Sequence, residues 1–380
     1  MIKFLPLLFS SLGRKKTRTI LTIGSFAVAL FLYAILTAVQ ASFDSAVAAG
    51  GADRLVVMNR TSFVVPLPYA YRDRIARVPG LVTSGLGVWF GGVYQDPKNF
   101  FAQFALDPGT WRDLYPEFVV PKDQWEAFLS TKSGAIAGQS TARRFGWKVG
   151  DRIPMQGGIY PGLWEFDLVG IYTGTREFDD LTQFWFRYDY LKDKAGGDIA
   201  NMVGWYIVKL ENIDDTVKIS KQIDEMFANS PYETKTMTER ALNQSFIKAM
   251  GNVKFLLVTI GAVVFFTLLL VTGNTIAASV RERTGELAVL KAVGFSDDFV
   301  LRLVFLESVL VAVMGGGLGL VAGHLFTLRG DPTGFFPAFY IPVPGFILGA
   351  ILIVATGLVA AVLPAIGARR LSVIEALRRL

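Results

Sequence analysis

The sequence predicts a membrane α-helical protein with four transmembrane helices and a large extracytoplasmic α+β domain, inserted between helices 1 and 2 on a helical stalk. Composition is the first observation: the 380 residues are 52% apolar and 18% charged, with a mean hydropathy of +0.42, whereas soluble domains carry about 25% charged residues. Four uncharged stretches of roughly 20 residues or more are the second observation. The third is a mixed segment of about 210 residues between the first two stretches, which is long enough for a folded domain.

The spans divide the chain into nine segments. We predict a cytoplasmic basic segment at 1–18, transmembrane helix 1 at 19–39, the extracytoplasmic domain with its stalk at 40–251, transmembrane helix 2 at 252–280, a cytoplasmic coupling loop at 281–299, transmembrane helix 3 at 300–328, a short external loop at 329–345, transmembrane helix 4 at 346–368 and a cytoplasmic tail at 369–380. The first uncharged run exceeds the 7–15 apolar residues of a signal peptide, so we expect it to be retained.

Basic residues set the predicted orientation. The segment before span 1 carries basic but no acidic residues, and basic residues also flank the loop 281–299 and the tail 369–380. The positive-inside rule therefore places both termini and this loop in the cytoplasm. The net charge of +6 is then concentrated at the membrane surface, where anionic lipids favour it. A nucleic-acid partner is unnecessary to explain the basic composition.

Several classes of chemistry are excluded by what the chain lacks. It has no cysteine and a single histidine, His324, which rules out disulfide scaffolds, Cys-based zinc sites, iron–sulfur clusters and HExxH metal sites. No glycine is followed by lysine, so there is no P-loop. We therefore expect no cofactor, no metal and no enzymatic activity in this chain, and any ATP and Mg²⁺ must bind a partner.

The external segment alternates strand and helix patterns. Two helices are expected: a short one at Pro121 to Leu129, and one at Ile213 to Phe227 with Ile213, Val217, Ile223 and Phe227 near one face. Thr238 to Val280 has no helix breaker and predicts a nearly continuous stalk helix. A tight turn is expected at 148–153. Strands are expected at Leu55 to Met58, Val88 to Tyr94, Phe100 to Leu106, Glu165 to Tyr172 and Tyr206 to Leu210.

The loop between spans 2 and 3 contains a short amphipathic helix. Its leucine and valine side chains recur at helical spacing, a glycine suits the C-cap, and Ser296 can cap the next helix. A solvated loop does not need an apolar stripe, so we interpret this helix as one that docks into a groove of a cytoplasmic partner. The residues assigned to this docking site are Arg283, Glu286, Leu287, Leu290, Lys291, Val293 and Gly294.

Span 3 carries glycines four residues apart, at Gly315, Gly319 and Gly323. Small residues at this spacing let helix backbones approach closely. Two interpretations stay open, namely packing within the chain and contact with a second subunit. We place Ala312 on the outward side of the same helix.

The remaining unusual polar and aromatic residues are interpreted as structural rather than functional. Glu307 is expected to snorkel or cap near the cytoplasmic face, and His324 to be a satisfied, non-ligand histidine, with no other ionisable group of the spans placed to pair with them. The Asp179–Asp180 pair is expected in an exposed turn. The aromatic run Phe184, Trp185 and Phe186 is interpreted as core, with a substrate or partner surface as the alternative.

Residues 281–296, RERTGELAVLKAVGFS, closely resemble the R-x-R-E-I-G-x-L-K-A-[IV]-G-A-S element of permeases in the MacB/FtsX/LolC-LolE group of ABC transporters, the type VII or mechanotransmission class. Phe295 replaces a usual small residue and Leu287 a usual isoleucine. Further segments resemble the same group in order along the whole chain, at 12–21, 51–57, 75–82, 146–153, 166–171 and 363–378. Ser372-Val373 departs from the usual Asp/Ser-Pro pair. Matching positions of the first element are Gly285, Glu286, Leu287, Leu290, Lys291, Ala292, Gly294 and Ser296.

The resemblance implies a permease subunit in the bacterial cytoplasmic (inner) membrane, with its large domain periplasmic or extracellular. It implies two permeases, identical or different, that pair with a dimer of a separate ABC ATPase, and a periplasmic adaptor as a further candidate partner. ATP-driven closure in the cytoplasm would then move the stalk and reshape the external domain, driving export or extraction of a substrate. The alternative is an FtsX-like signalling protein that regulates an external hydrolase without transport.

Overall fold

The computed structural model describes residues 16–176, 179–249, 251–331, 336 and 338–370. Most of the predicted basic segment 1–18, part of the loop 329–345 and the tail beyond Arg370 lie outside these described residues. The chain divides into two compact units. We call Ser42–Gly251 with Gly330–Ala338 the α+β unit, and Met1–Ala41, Asn252–Arg329 and Phe339–Leu380 the helical unit. Helix α1 (Lys16–Ala49) begins in the helical unit and ends in the α+β unit.

The α+β unit contains twelve strands within the described residues. They are β1 (Arg54–Asn59), β2 (Leu67–Pro68), β3 (Leu81–Trp89), β4 (Gln103–Leu106), β5 (Phe118–Val119), β6 (Gly134–Gly138), β7 (Arg152–Gly157), β8 (Gly162–Gly174), β9 (Phe184–Arg187), β10 (Met202–Val203), β11 (Trp205–Leu210) and β12 (Thr234–Thr238). Ten form one sheet in the order β12-β1-β11-β3-β4-β9-β6-β8-β5, with β7 paired to β8, while β2 pairs with β10. The sheet is antiparallel except for the β4–β9 and β6–β8 pairs.

In the part of the unit that the structure describes, seven short helices cover this sheet. They are α2 (Tyr71–Ala76), α3 (Pro108–Leu114), α4 (Lys122–Ser130), α5 (Gln139–Phe145), α6 (Tyr188–Ala195), α7 (Thr216–Phe227) and α8 (Glu239–Ala249). Two large buried apolar clusters flank the sheet. Phe166, Phe184 and Phe186 belong to one cluster, and Trp125, Phe128 and Trp185 belong to the other. Consecutive residues of β9 therefore fill opposite cores, as expected for a strand covered on both faces.

Most predicted strands are confirmed, but two have different ends. The strand predicted at Val88 to Tyr94 begins at Leu81 and stops at Trp89, and the one predicted at Phe100 to Leu106 starts at Gln103. The Gln103 side chain supplies the reason, because its amide accepts from the Gly92 N–H at 2.7 Å and donates to the Gly92 carbonyl at 3.0 Å. These bonds replace the backbone ladder that a longer hairpin would need.

The face predicted for α7 is correct for Ile223 and Phe227 and wrong for Ile213 and Val217. Val217 is 79% exposed and Ile213 is 54% exposed, whereas Ile219, Ile223 and Phe227 are buried. Residues 213–215 form a separate 3₁₀ turn before the α-helix begins at Thr216. The buried residues keep the i, i+4, i+8 spacing of one helix face. Ile213 lies in the 3₁₀ turn, outside the α-helix, and so does not follow this spacing.

The helical unit contains, besides the first part of α1, helices α9 (Val253–Glu282), α10 (Thr284–Ala292), α11 (Asp297–Thr327) and α12 (Val343–Arg369). Among the described residues, four helices are long and apolar enough to cross a membrane: α1, α9, α11 and α12. The continuous stalk helix predicted from Thr238 to Val280 is wrong, because α8 ends at Ala249 and α9 begins at Val253. Gly251 between them has a φ of +87°, and the Asn252 side chain accepts from the Phe255 N–H, which caps a new helix.

The glycines of α11 pack against α1 of the same chain. A Cβ at Gly315 would lie 2.4 Å from the Ile23 carbonyl oxygen, and one at Gly319 would lie 2.3 Å from the Ala27 carbonyl oxygen. Gly323 approaches Ala34 in the same way. The structure therefore supports intramolecular packing and leaves this face no room for a helix of a second subunit.

The opposite side of α11 packs closely against α12. Ala312, which we placed outward from the sequence, is fully buried, and a Cβ at Gly357 would lie 2.9 Å from the Ala312 Cβ. The Ser308 hydroxyl donates to the Gly357 carbonyl at 2.6 Å. Small residues on both helices allow this approach, so the outward assignment of Ala312 is wrong.

Candidate functional site

The segment 283–294, predicted as a docking site, folds as α10 between two long helices. Gly294 adopts a φ of +104°, and the Ser296 hydroxyl accepts from the Phe299 N–H at 3.2 Å. Both caps predicted from the sequence are confirmed. Gly294 ends α10 and Ser296 caps the start of α11 only two residues later. The boundary between the two helices is therefore sharply defined.

The three apolar residues of α10 do not form one outward stripe. Leu287 is only 2% exposed and Leu290 is partly buried, and both pack against Val300, Leu303 and other residues of the helical unit. Val293 is 74% exposed. Leu287 and Leu290 therefore anchor α10 to its own chain, and an aspartate at Leu290 would disturb that packing rather than leave the fold intact.

The outward face of α10 is formed by other residues. Val289 is 49% exposed, Val293 is 74% exposed, and Glu286 is also exposed. We call Glu286, Val289 and Val293 the outer face of α10. Exposed valines on a helix that is anchored by its opposite side are suited to contact with a partner.

Ion pairs hold α10 to α11, and a hydrogen bond holds it to α12. Arg283 contacts Glu307 of α11 at 2.8 Å and Glu286 at 3.3 Å. Glu307 was expected to have no ionisable partner within the spans, and its partner Arg283 lies outside them, in the predicted loop 281–299. The Lys291 side chain, 6% exposed, contacts Asp297 at 2.8 Å and donates to the Arg369 carbonyl of α12 at 2.7 Å. Arg283 and Lys291 thus make contacts within the chain that hold α10 against α11 and α12.

The aromatic run of β9 is core. Phe184, Trp185 and Phe186 are at most 1% exposed, and the Trp185 ring stacks on Tyr172 at 3.9 Å. The interpretation of this run as a substrate or partner surface is wrong. The exposed turn expected at Asp179–Asp180 is wrong for Asp179, which is 2% exposed and accepts hydrogen bonds from the Thr175 N–H, the Arg176 N–H and the Arg176 guanidinium.

A charge cluster in the α+β unit escaped the sequence analysis. Arg54, at the start of β1, contacts Glu117 at 2.7 Å and Glu239 at 2.8 Å, and its own side chain is 6% exposed. Arg176 contacts Glu117 at 3.3 Å and Asp179 at 2.7 Å. We call these five residues the Arg54 cluster. Burial lowers the pKa of Arg54, but Glu239 and the other neighbours outweigh it and raise that pKa above its ordinary value.

The Arg54 cluster fastens two helix ends to the sheet. Glu239, the first residue of α8, accepts from the Gly51 N–H at 2.8 Å and from the Tyr115 hydroxyl at 2.9 Å. Burial and the neighbouring Glu239 raise the pKa of Tyr115 well above its ordinary value, so the phenol stays protonated and donates. The Asn243 amide of α8 donates to the Ala46 carbonyl of α1 at 2.9 Å. The end of α1 and the start of α8 are therefore locked together.

His324 lies edge-on to the Phe346 ring, with the centroids 5.3 Å apart. In the described part of the chain no group of three or more His, Cys, Asp or Glu side chains is arranged to hold a metal ion.

Comparison with known proteins agrees with the resemblance seen in the motifs. Residues 258–373 match the family model of the FtsX-like permease C-terminal domain. An uncharacterized ABC transporter permease of Methanocaldococcus jannaschii is 22% identical over 335 residues, 83% of this chain and 82% of the relative. The macrolide export ATP-binding/permease protein MacB of Rhodopirellula baltica is 35% identical over 137 residues, 34% of this chain and 20% of the relative.

Two solved structures are also similar to part of this chain. The periplasmic region of MacB from Actinobacillus actinomycetemcomitans covers 53% of this chain, with 95% of its own length matched, a TM-score of 0.38 and 10% identity. The extracellular domain of the transporter YknZ from Gram-positive bacteria covers 49% of this chain with a TM-score of 0.36 and 13% identity.

Proposed function

We propose that this chain, which carries an FtsX-like permease domain and resembles ABC transporter permeases, couples ATP hydrolysis by a separate cytoplasmic ATPase to movement of an extracytoplasmic α+β unit. The movement drives export or extraction of a substrate. Two permeases, identical or different, pair with two ATPase subunits, which hold the ATP and Mg²⁺; a periplasmic adaptor is a further candidate partner.

The observation that carries this proposal is the construction of α10. Its inner side is fixed by Leu287, Arg283 and Lys291 to the long helices, while its outer face presents Val289 and Val293. A partner that pushes on the outer face therefore pushes on α9, α11 and α12 through short, buried contacts. A loosely attached loop would absorb the same push.

The Arg54 cluster supports the second half of the mechanism. The chain enters the α+β unit within α1 and leaves it after α8, at Gly251, and the short segment Gly330–Ala338 also belongs to this unit. Glu239 ties the end of α1 and the start of α8 to Arg54 of β1. A displacement of either segment is thus transmitted to the central sheet rather than lost in a flexible linker.

A matched pair of substitutions tests the coupling role. We expect Val293→Asp to reduce co-purification of the ATPase by ten- to a hundredfold, since removing an interface anchor typically costs about 1–3 kcal/mol. Val217→Asp is the control, because Val217 is 79% exposed and lies on α7 of the other unit. Co-purification is measured with the tagged permease and the ATPase of the same operon. Equal recovery with both variants, together with undiminished coupled ATP turnover, would contradict the proposal.

Orientation is tested by single cysteines, since the natural chain has none. Ser130→Cys on α4 and Ser296→Cys before α11 replace exposed residues. We expect an impermeant maleimide to label only Ser130→Cys in intact cells and both variants after permeabilisation, because the basic flanks favour the cytoplasm. Labelling of Ser296→Cys from outside would overturn the orientation.

The signalling alternative shares this mechanical pathway. An FtsX-like regulator would bind an external hydrolase through its α+β unit and move no substrate. Reconstitution of the permease with its ATPase separates the two functions, because only the transporter changes the distribution of a substrate between membrane and solution.

A further inference from the structure

The α+β unit contains a groove that none of the features above explains. Its volume is about 460 Å³, within the roughly 300–1,000 Å³ of small-molecule sites. One wall is the sheet face formed by β1, β3, β4 and β11, and the other consists of the last turns of α1 and residues of α8. Every lining residue belongs to the α+β unit.

The sheet wall of the groove is a continuous aromatic surface. Trp205 stacks on Phe63, with the ring centroids 4.8 Å apart, and contacts Phe104 edge-on at 5.7 Å. Trp89 continues the surface at 5.4 Å from Phe104. Gly87 makes this possible, because a Cβ there would lie 2.6 Å from the Trp205 indole. The absent side chain lets the indole lie flat against β3.

The polar end of the groove is negative. Arg54 and Arg176 face Glu117, Asp179 and Glu239 there, and all five side chains are paired with one another. Three carboxylates thus stand against two guanidinium groups. The cluster attracts positive rather than negative groups.

Asp180 adds a fourth carboxylate on the groove lining. It accepts from the Thr182 N–H at 2.8 Å, the Thr182 hydroxyl at 2.6 Å and the Gln183 amide at 2.9 Å. Within the described ranges no lysine or arginine forms an ion pair with it. These neutral donors fix the carboxylate without neutralising it.

Trp111 also lines the groove and is 7% exposed. Its indole N–H has no acceptor among the described residues. A buried donor without an acceptor is uncommon in folded proteins, and core packing alone gives no reason for a tryptophan rather than a phenylalanine at this position.

We propose that this groove is a binding site for an aromatic organic cation. Aromatic faces attract cations through the negative charge above their rings, and Asp180 with the unbalanced Arg54 cluster selects positive over negative charge. The apolar wall accepts the body of the ligand. That such a ligand is the transported substrate rests on the function proposed above, whereas the site itself does not.

Two ions of the same shape and opposite charge test the proposal. Tetraphenylphosphonium and tetraphenylborate are titrated by equilibrium dialysis into the full chain in nanodiscs of zwitterionic lipid, with empty nanodiscs subtracted. We expect the natural chain to bind the phosphonium at least tenfold more tightly than the borate. Asp180→Asn should weaken phosphonium binding about tenfold and leave borate binding unchanged or improved. Asp123→Asn, which removes an exposed carboxylate of α4, is the matched control and should behave like the natural chain.

If circular dichroism and thermal unfolding show that Asp180→Asn does not fold, a second variant, Trp205→Leu, tests the binding site instead. Trp205→Leu removes the centre of the aromatic wall and should weaken phosphonium binding at least tenfold. The proposal is overturned if both ions bind equally well, if Asp180→Asn matches Asp123→Asn, or if Trp205→Leu binds like the natural chain. These measurements need no ATPase, so a chain that binds the phosphonium but does not co-purify with an ATPase would refute only the proposed function.

Discussion

Replacement of Arg54 by methionine is expected to lower the free energy of unfolding of the α+β unit by about 3–5 kcal/mol. The Arg54 side chain is 6% exposed, and it is the only guanidinium in the described structure that contacts Glu239. Methionine has a similar length but no charge and no donors. It would leave Glu239 and half of the contacts of Glu117 uncompensated in a poorly hydrated site, and an unpaired buried charge is costly.

The measurement is urea unfolding of the full chain in nanodiscs, followed by tryptophan fluorescence. Arg60→Met is the control, because Arg60 pairs with Glu233 at 2.7 Å but is 69% exposed. Exposed pairs of this kind contribute about 0–1 kcal/mol. Equal effects of the two substitutions would mean that the Arg54 cluster is hydrated and does not fasten α1 and α8 to the sheet.

A combined variant separates charge from packing. Arg54→Met with Glu117→Gln and Glu239→Gln should recover part of the stability that Arg54→Met loses, since the neutral amides remove the uncompensated charge. No recovery would assign the loss to the cation–π contact between Arg54 and the Tyr115 ring, whose centroid lies 4.3 Å from the guanidinium carbon.

The spans were predictable because hydropathy is a local property. Each predicted span coincides with a helix of the structure to within one residue at the ends where it extends beyond that helix, but the helices are longer than the spans. Helix α1 continues to Ala49, ten residues beyond the predicted end of span 1 at Val39. Apart from Gln40 and Asp44, residues 40–49 are small or apolar. Hydropathy alone does not show where a helix leaves one environment for another. The break between α8 and α9 at Gly251 was not predicted, because a single glycine is only a weak signal for the end of a helix.

The site was less predictable because it depends on long-range contacts. Arg54, Glu117, Arg176 and Glu239 are far apart in sequence and form no motif, so only the fold brings them together. One signal was available: Arg54 begins a strand whose six residues are all buried, and a charged residue in such a run requires a partner. The periodicity of α10 correctly indicated an apolar face, but it could not show that Leu287 is buried by the same chain.

The second large effect is expected at Gly319. A leucine there would place its Cβ 2.3 Å from the Ala27 carbonyl oxygen and 2.9 Å from the Leu30 Cβ. The first obstacle is helix backbone, which cannot rotate away as a side chain can, so α1 and α11 must separate. Overpacking of a tight core typically costs about 1–3 kcal/mol, and a backbone obstacle places Gly319→Leu at the upper end of this range or beyond.

Gly317→Leu is the matched control for Gly319→Leu, since it introduces the same side chain two residues earlier on α11, where nothing lies within 4 Å of an added Cβ. We expect Gly319→Leu to lower the melting temperature of the detergent-solubilised chain and to reduce its monodisperse fraction in size-exclusion chromatography, while Gly317→Leu resembles the natural chain. Gly319→Ala should show a smaller loss of the same sign, because its Cβ meets the same carbonyl without the rest of the leucine. If Gly319→Leu and Gly317→Leu have the same melting temperature, the glycine face of α11 does not hold α1.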